Sequence, residues 1–295
     1  MPTVITSKQA NPVGVVMILV VGATAHFGRE TVEALAAAGA PVRALSRTPD
    51  RAALPAGVDV VRGDLTDAAS LRPALRGVRT LFLVLPYGLA PNGLLAEAAD
   101  TGVRHIVFLS SGAVVDGADV QPDVIATHHA GVERAIAESG IPWTFLRLLF
   151  PAVNALSFAM QLKGSDVVRG AYAEAAASVV HERDVAEVAA AVLTGDGHAG
   201  RTYDLTGPAS LTQAEQVRVL GEVLGRPLVF EELPDADVRE QLSRFLDGPF
   251  VNALFDLMAA TVGKPAPLTD VVERLTGKPA RTFAEWAADH RADFA

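Results

Sequence analysis

Apolar residues arrive in short unbroken runs along the first half of the chain, and amphipathic stretches separate the runs. Val15–Val21, Val42–Leu45, Val58–Val61, Leu81–Leu85, Arg104–Leu109 and Trp143–Arg147 lack the polar alternation of a half-solvated strand. Both faces of each strand are therefore expected to be covered. Between them, Arg29–Ala38 gathers Val32, Leu35 and Ala36 on one helical face, and a short helical turn follows Pro49. Asp67 caps a helix running to about Leu75, Leu94–Asp100 lies in another, and Val124–Ser139 forms a third. Such alternation predicts a doubly wound parallel sheet, because right-handed crossovers place helices on both faces.

The rhythm breaks after Pro151. Asn154–Lys163 reads as helical, and Asp184–Leu193 as a helix starting at an acidic cap. Thr202–Leu205 is a strand, Thr212 caps a helix to Leu224, Leu228–Glu232 is a strand, and the remainder is helical to Phe294. The pattern divides the chain into a sheet domain over 13–152 and a smaller α+β region over 153–295. The second is expected to be partly intertwined with the first and packed on the carboxyl edge of its sheet. Residues 1–12 show no periodicity and read as a flexible leader. Lys8, the apolar run Val13–Val21 and Ala23-Thr24-Ala25 imitate a secretory signal. That run is too short to span a bilayer and reads better as a buried strand entering a turn, so a cytoplasmic protein is expected.

Composition narrows the chemistry. With 295 residues the chain can bury a substantial core. It contains no cysteine, which removes disulfides, thiolate nucleophiles and iron–sulfur clusters. A net charge of −9 argues against a nucleic-acid binder. No His/Asp/Glu grouping has the spacing of a metal site, and no G-x-S-x-G elbow is present. Half the residues are hydrophobic but only 6% are aromatic, a balance that favours small-on-large helix packing over a membrane protein. No sequence feature fixes an oligomeric state, and a homo-oligomer is compatible with all of them.

The strongest local signal is Gly22-Ala23-Thr24-Ala25-His26-Phe27-Gly28, placed directly after a strand and directly before a helix. In that context a glycine pattern becomes a dinucleotide fingerprint. Gly22 permits the tight turn and Gly28 lets the helix approach the strand. The N–H groups of Thr24, Ala25, His26 and Phe27 face a pyrophosphate. Ala25 stands where glycine is usual, and its methyl narrows the phosphate approach.

An enzyme specific for NAD places an acid about twenty residues further on. Here the second strand ends Ser46-Arg47-Thr48, with no acid before Asp50. Arg47 can clamp a 2′-phosphate, with Ser46 as a hydroxyl donor, so NADP(H) is the expected cofactor. Asp64 and Leu65 follow the third strand at the same edge. They either contact the adenine or simply form a turn.

These segments together resemble the NmrA-like branch of the atypical short-chain dehydrogenases/reductases. The resemblance rests on the glycine loop, Arg47 and Gly63-Asp64-Leu65, followed by Val107–Ser111 and Gly140–Arg147 leading to Asn154. It continues in Arg183-Asp184-Val185-Ala186 and Leu205-Thr206-Gly207-Pro208. It implies a Rossmann domain, NADP(H) binding and a small C-terminal substrate region. Members include quinone and dye reductases, and redox-sensing regulators that bind the nucleotide without catalysis.

The relatives of this family normally carry a Tyr-x-x-x-Lys pair, in which the lysine lowers the pKa of the proton-donating tyrosine. Those positions fall at Ile125 and His129. The three tyrosines are Tyr87, Tyr172 and Tyr203, and the four lysines are Lys8, Lys163, Lys264 and Lys278, so the relay is absent. His129 is the candidate to contact the nicotinamide ribose or donate a proton. Neighbouring His128 lies about 100° around the helix, so both are not expected to serve one site. Leu85, Pro86 and Tyr87 end the fourth strand near the nicotinamide, with Tyr87 a second proton-donor candidate. Ser110 and Ser111 end the fifth strand, where one touches cofactor or substrate or caps the turn. The resemblance places Phe150 and Asn154 in the wall of the substrate cavity. His181, His198 and His290 show no partner pattern. The expected activity is an NADPH-dependent reductase delivering hydride to a conjugated small molecule such as a quinone, enone or dye. The alternative is a non-catalytic NADP(H)-sensing regulator that binds a protein partner.

Overall fold

The computed structural model describes residues 16–295. The leader over 1–12 and the start of the first strand lie outside the described residues. Seven parallel strands form the central sheet: β1 (Met17–Val21), β2 (Val42–Ser46), β3 (Asp59–Arg62), β4 (Val78–Leu83), β5 (His105–Ser111), β6 (Trp143–Leu148) and β9 (Arg201–Leu205). Their order is β3-β2-β1-β4-β5-β6-β9. Val20 pairs with Ala44 on one side and Phe82 on the other, so β1 lies where the strand order reverses. Such a reversal opens a crevice at the carboxyl ends of the strands.

Two apolar layers cover the sheet, as expected for strands without polar alternation. Ile18, Val20, Phe82, Val107 and Leu146 pack on α1 (His26–Ala37) and α5 (Glu182–Thr194). Leu19, Val21, Leu81 and Phe108 face the other way. They meet α2 (Leu71–Leu75), α3 (Asn92–Thr101) and α4 (Val124–Glu138). Asp67 caps a short 3-10 turn over Ala68–Ser70 that leads into α2.

The smaller region holds β7 (Val167–Gly170), β8 (Ala176–Ala177), β10 (Leu211–Thr212) and β11 (Val229–Glu232), in two two-stranded pairings. It adds α6 (Gln213–Leu224), α7 (Asp235–Leu242), α8 (Gly248–Ala260), α9 (Val271–Thr276) and α10 (Phe283–Asp289). Its core is built on Val168, Val217, Leu220, Phe283 and Trp286.

Three expectations need correction. The strand at Arg201–Leu205 belongs to the main sheet, pairing Leu146 with Tyr203, because α5 crosses back over it and packs on α1. That helix starts at Glu182 with His181 as its cap, since the His181 ring accepts from Arg183 N at 3.2 Å. Asp184 instead lies buried inside the first turn. The segment after β6 is a 3-10 stretch over Ala152–Phe158, shorter than the helix expected to Lys163.

Candidate active site

The glycine turn has the geometry that its position demands. Gly22 adopts φ +78°, a left-handed conformation, and an added Cβ would crowd Val84 O. A Cβ on Gly28 would overlap Gly22 O, so only glycine allows α1 to start against β1. Thr24, Ala25 and His26 are exposed, and Phe27 is half-buried. Ala25 caps α1 without a side-chain hydrogen bond, and no acid occupies the first turn. Helix geometry leaves the N–H groups of His26, Phe27 and Gly28 without intrahelical acceptors. These free backbone donors make the start of α1 a cradle for an anion.

Arg47 stands at the end of β2, exposed, with no ion pair among the described residues. Ser46 Oγ accepts from Thr48 N at 3.1 Å, which bends the chain there. Arg62 donates to Arg47 O at 3.2 Å, steadying its backbone from β3. Asp64 forms a turn: its Oδ1 accepts from Thr66 N at 2.9 Å and Thr66 Oγ1 at 2.7 Å. Those bonds hold its carboxyl below the usual range. Leu65 packs half-buried against the core.

Beyond β4, Leu85 is half-buried and Pro86 and Tyr87 are exposed. The Tyr87 ring meets His128 edge to face at 5.1 Å and Phe250 of α8 at 5.1 Å. Burial, Asp247 and Asp123 all push its phenol up, so it stays protonated at neutral pH. His129 Nδ1 donates to Ile125 O at 2.8 Å, and its ring stacks on Phe108 at 6.2 Å. Burial lowers its pKa despite that bond. With the proton held on Nδ1 by that bond, Nε2 is the ring's acceptor. His128 is brought to this edge by Tyr87, which reaches over from the end of β4 to meet it.

Ser110 has a different partner from the one expected. Its Oγ donates to Glu133 Oε1 at 2.6 Å, a buried bond to α4. Arg147 holds the same carboxylate by two bonds, at 2.9 and 2.7 Å, and reaches Asp116 at 2.8 Å. Glu133 and its two bonds keep Arg147 strongly charged despite burial. Ser111 Oγ accepts from Ala113 N at 3.2 Å and shapes the turn after β5.

A cavity of about 340 Å³ opens beside this edge. The segment after β6 supplies Phe150, Asn154, Ser157 and Phe158, and β8 supplies Ala176 and Ala177. Phe250, Leu254 and Met258 of α8 close it from the other side, with Gln213 and Gln216 of α6 behind. Phe150 and Asn154 both line this cavity. His128 was set aside on helix geometry, and Glu133, Arg147 and the α8 wall were not singled out as site residues in the sequence. Glu133 alone had a local signal, lying one helical turn beyond His129. Among the described residues no cluster of three His, Cys, Asp or Glu could hold a metal ion, and no helix is long and apolar enough to cross a membrane.

Comparison with known proteins agrees with this layout. The model of the NmrA-like family matches residues 16–271. The (4-alkanoyl-5-oxo-2,5-dihydrofuran-3-yl)methyl phosphate reductase of Streptomyces griseus is 44% identical over 95% of this chain and 99% of its own. The NAD(P)H azoreductase of Xenophilus azovorans is 34% identical over 94% of this chain and 99% of its own. Among solved structures, the NADPH complex of an Escherichia coli NADPH-dependent quinone oxidoreductase superposes with a TM-score of 0.79. It is 29% identical, covering 92% of this chain and 99% of the other.

Proposed function

The chain belongs to the NmrA-like family, and from that premise we propose an NADPH-dependent reductase that delivers hydride to a conjugated small molecule. The observation that carries this reading is the apolar cavity whose wall residue Phe250 meets Tyr87 at the carboxyl end of β4, on a sheet that also carries the glycine turn. The residues fit the nucleotide. The turn between Gly22 and Gly28 leaves backbone donors for the pyrophosphate, and Arg47 offers an uncommitted guanidinium for the 2′-phosphate. Ser46 and Leu65 flank the adenosine end, and Leu85, Pro86 and His129 Nε2 flank the nicotinamide ribose. When bound, NADPH supplies a hydride.

The protein's share is orientation and a proton. Phe150, Asn154 and Phe250 line the cavity and hold a flat acceptor at the strand ends. Tyr87 Oη keeps its proton at neutral pH and donates it to the acceptor oxygen. His128, in contact with the Tyr87 ring, shields that phenol. An electron-poor π-system needs little more, which is why a lysine-assisted tyrosine can be absent. The reductases similar to this chain are named for an alkanoyl dihydrofuranone methyl phosphate, for azo compounds and for a quinone, all of them conjugated acceptors.

The test is NADPH oxidation against a panel of quinones, enones and azo dyes, alongside NADPH binding followed by fluorescence. Tight binding with turnover of at least one acceptor class supports the reading. Tight binding with background turnover throughout would overturn it and leave a nucleotide sensor.

A further inference from the structure

Arg29 follows Gly28 directly in α1, and its guanidinium leaves the helix for the segment after β2. Nη1 donates to Ala53 O at 2.7 Å and Nη2 to Ala52 O at 2.9 Å. One planar fork thus grips two consecutive carbonyls, a geometry that the compact ammonium of a lysine does not reproduce. The gripped segment leaves β2 at Ser46 and passes through Arg47 and a 3-10 turn over Pro49–Arg51. Within it, Arg51 N donates to Thr48 O and Ala52 N to Pro49 O, both at 3.0 Å.

The fork holds a backbone that the segment does not favour by itself. Ala53 adopts φ +48°, a left-handed conformation at a residue that carries a side chain. Its methyl is exposed and has little packing to fix that backbone, whereas Ala52 beside it is buried. The hydrogen bond to Ala53 O therefore falls where the chain most needs a restraint.

Two phosphates make the restraint matter. NADPH carries a pyrophosphate and a 2′-phosphate, at a spacing that the nucleotide itself fixes. The start of α1 suits the first, and Arg47 suits the second. Arg29 ties these two places together, since it belongs to the helix of the cradle and holds the segment that carries Arg47. NADH has no 2′-phosphate, so its binding does not depend on where that segment stands.

We propose that Arg29 is a positioning residue for cofactor choice. Its fork keeps the Arg47 segment in register with α1, so that both phosphates are met without a further ordering cost. This rests on Arg47 as the 2′-phosphate site, and the two readings fail separately.

The full chain is titrated by calorimetry with NADPH and with NADH. Arg29→Lys keeps the charge but loses the fork. It is expected to weaken NADPH by about tenfold and NADH by less than about twofold. In the nucleotide-free protein, amide exchange over 47–54 should quicken. Added to Arg47→Ala, the same change should cost less than about twofold more, because Arg29 acts through Arg47. Ala53→Gly adopts a left-handed backbone freely, and added to Arg29→Lys it should return about threefold of the NADPH affinity. Should Arg29→Lys fold poorly, Ala53→Val at the exposed position disfavours the same backbone with the fork intact. It should also weaken NADPH and spare NADH. Equal losses for the two nucleotides in Arg29→Lys, unchanged exchange over 47–54, or additive losses with Arg47→Ala would each overturn the proposal. A selective loss in Arg47→Ala with none in Arg29→Lys sinks the positioning role alone. Unchanged NADPH preference in Arg47→Ala sinks the Arg47 assignment, and the positioning role with it.

Discussion

Tyr87 and His128 meet edge to face, with ring centroids 5.1 Å apart and planes at 61°. One comes from the end of β4 and the other from the second turn of α4, so the contact brings a phenol over the edge where hydride would be delivered. Tyr87→Phe keeps the ring and its contact with Phe250 but removes the proton. It is expected to lower kcat by about 10- to 100-fold while leaving NADPH affinity unchanged. Because the phenol is raised, wild-type activity should show no loss through a tyrosine ionisation below about pH 10. Unaltered kcat in the phenylalanine variant would assign the proton to water.

Arg47 has no carboxylate partner among the described residues, and that freedom should set cofactor choice. Arg47→Ala is expected to weaken NADPH binding by about 10- to 100-fold, the value of a charge-assisted contact, and to leave NADH nearly unchanged. Equilibrium titration of both nucleotides checks this. Equal losses for the two would place the 2′-phosphate elsewhere.

Gly28 is tied to Gly22 by space. A methyl group on Gly28 has nowhere to go except into Gly22 O, so α1 must move off β1. Gly28→Ala is expected to destabilise the fold by about 1–3 kcal/mol and to abolish measurable nucleotide binding. Denaturant titration and NADPH titration of the same variant read the two effects.

The contrast between these sites explains what the sequence could reveal. The glycine turn, the strand-end Arg47 and the caps at Asp67, Thr212 and Thr282 are local, so a few adjacent residues define them. The two-layer sheet was legible for the same reason, through unbroken apolar runs. Contacts made across the fold were not. Ser110 looked free for a ligand because its partner, Glu133, lies on the next helix. Tyr203 sits in the main sheet because a helix crosses back over it, which no local pattern announces. The α8 wall has the composition of any buried helix, and only packing turns Phe250 toward Tyr87.

Glu133 and Arg147 form a nearly dry ion pair that joins α4 to β6 beneath the site, both side chains less than a tenth exposed. Removing Arg147 leaves Glu133 buried without a cation, and removing Glu133 leaves Arg147 only its bond to exposed Asp116. Arg147→Met and Glu133→Gln are each expected to cost about 3–5 kcal/mol in unfolding free energy. The double variant should recover part of that loss, because no uncompensated charge remains. Additive losses in a double-mutant cycle would show that the pair does not act as a unit.

The C-terminal helix is held by a second buried carboxylate, and here pH should matter. Glu182 accepts from the Trp286 indole at 3.0 Å and pairs with His290, and His181 Nε2 lies 3.3 Å from Asp289. Burial pushes the Glu182 carboxyl up, but the His181 and His290 rings outweigh it and bring it to about 2. Its contribution to stability is therefore complete above its ordinary value of 4.5 and is lost as pH falls toward 2. For His290 the sign is opposite: burial lowers it, yet Glu182 and Asp293 raise it above its ordinary 6.5. Its contribution is complete below 6.5 and is lost as pH rises through the raised value. The two overlap between 4.5 and 6.5, where the α10 anchor should be strongest. Thermal unfolding of Glu182→Gln is expected to fall several °C below wild type within that window. The difference should shrink on either side of it. A difference that stays constant from pH 3 to about 9 would mean that the pair contributes by shape rather than charge.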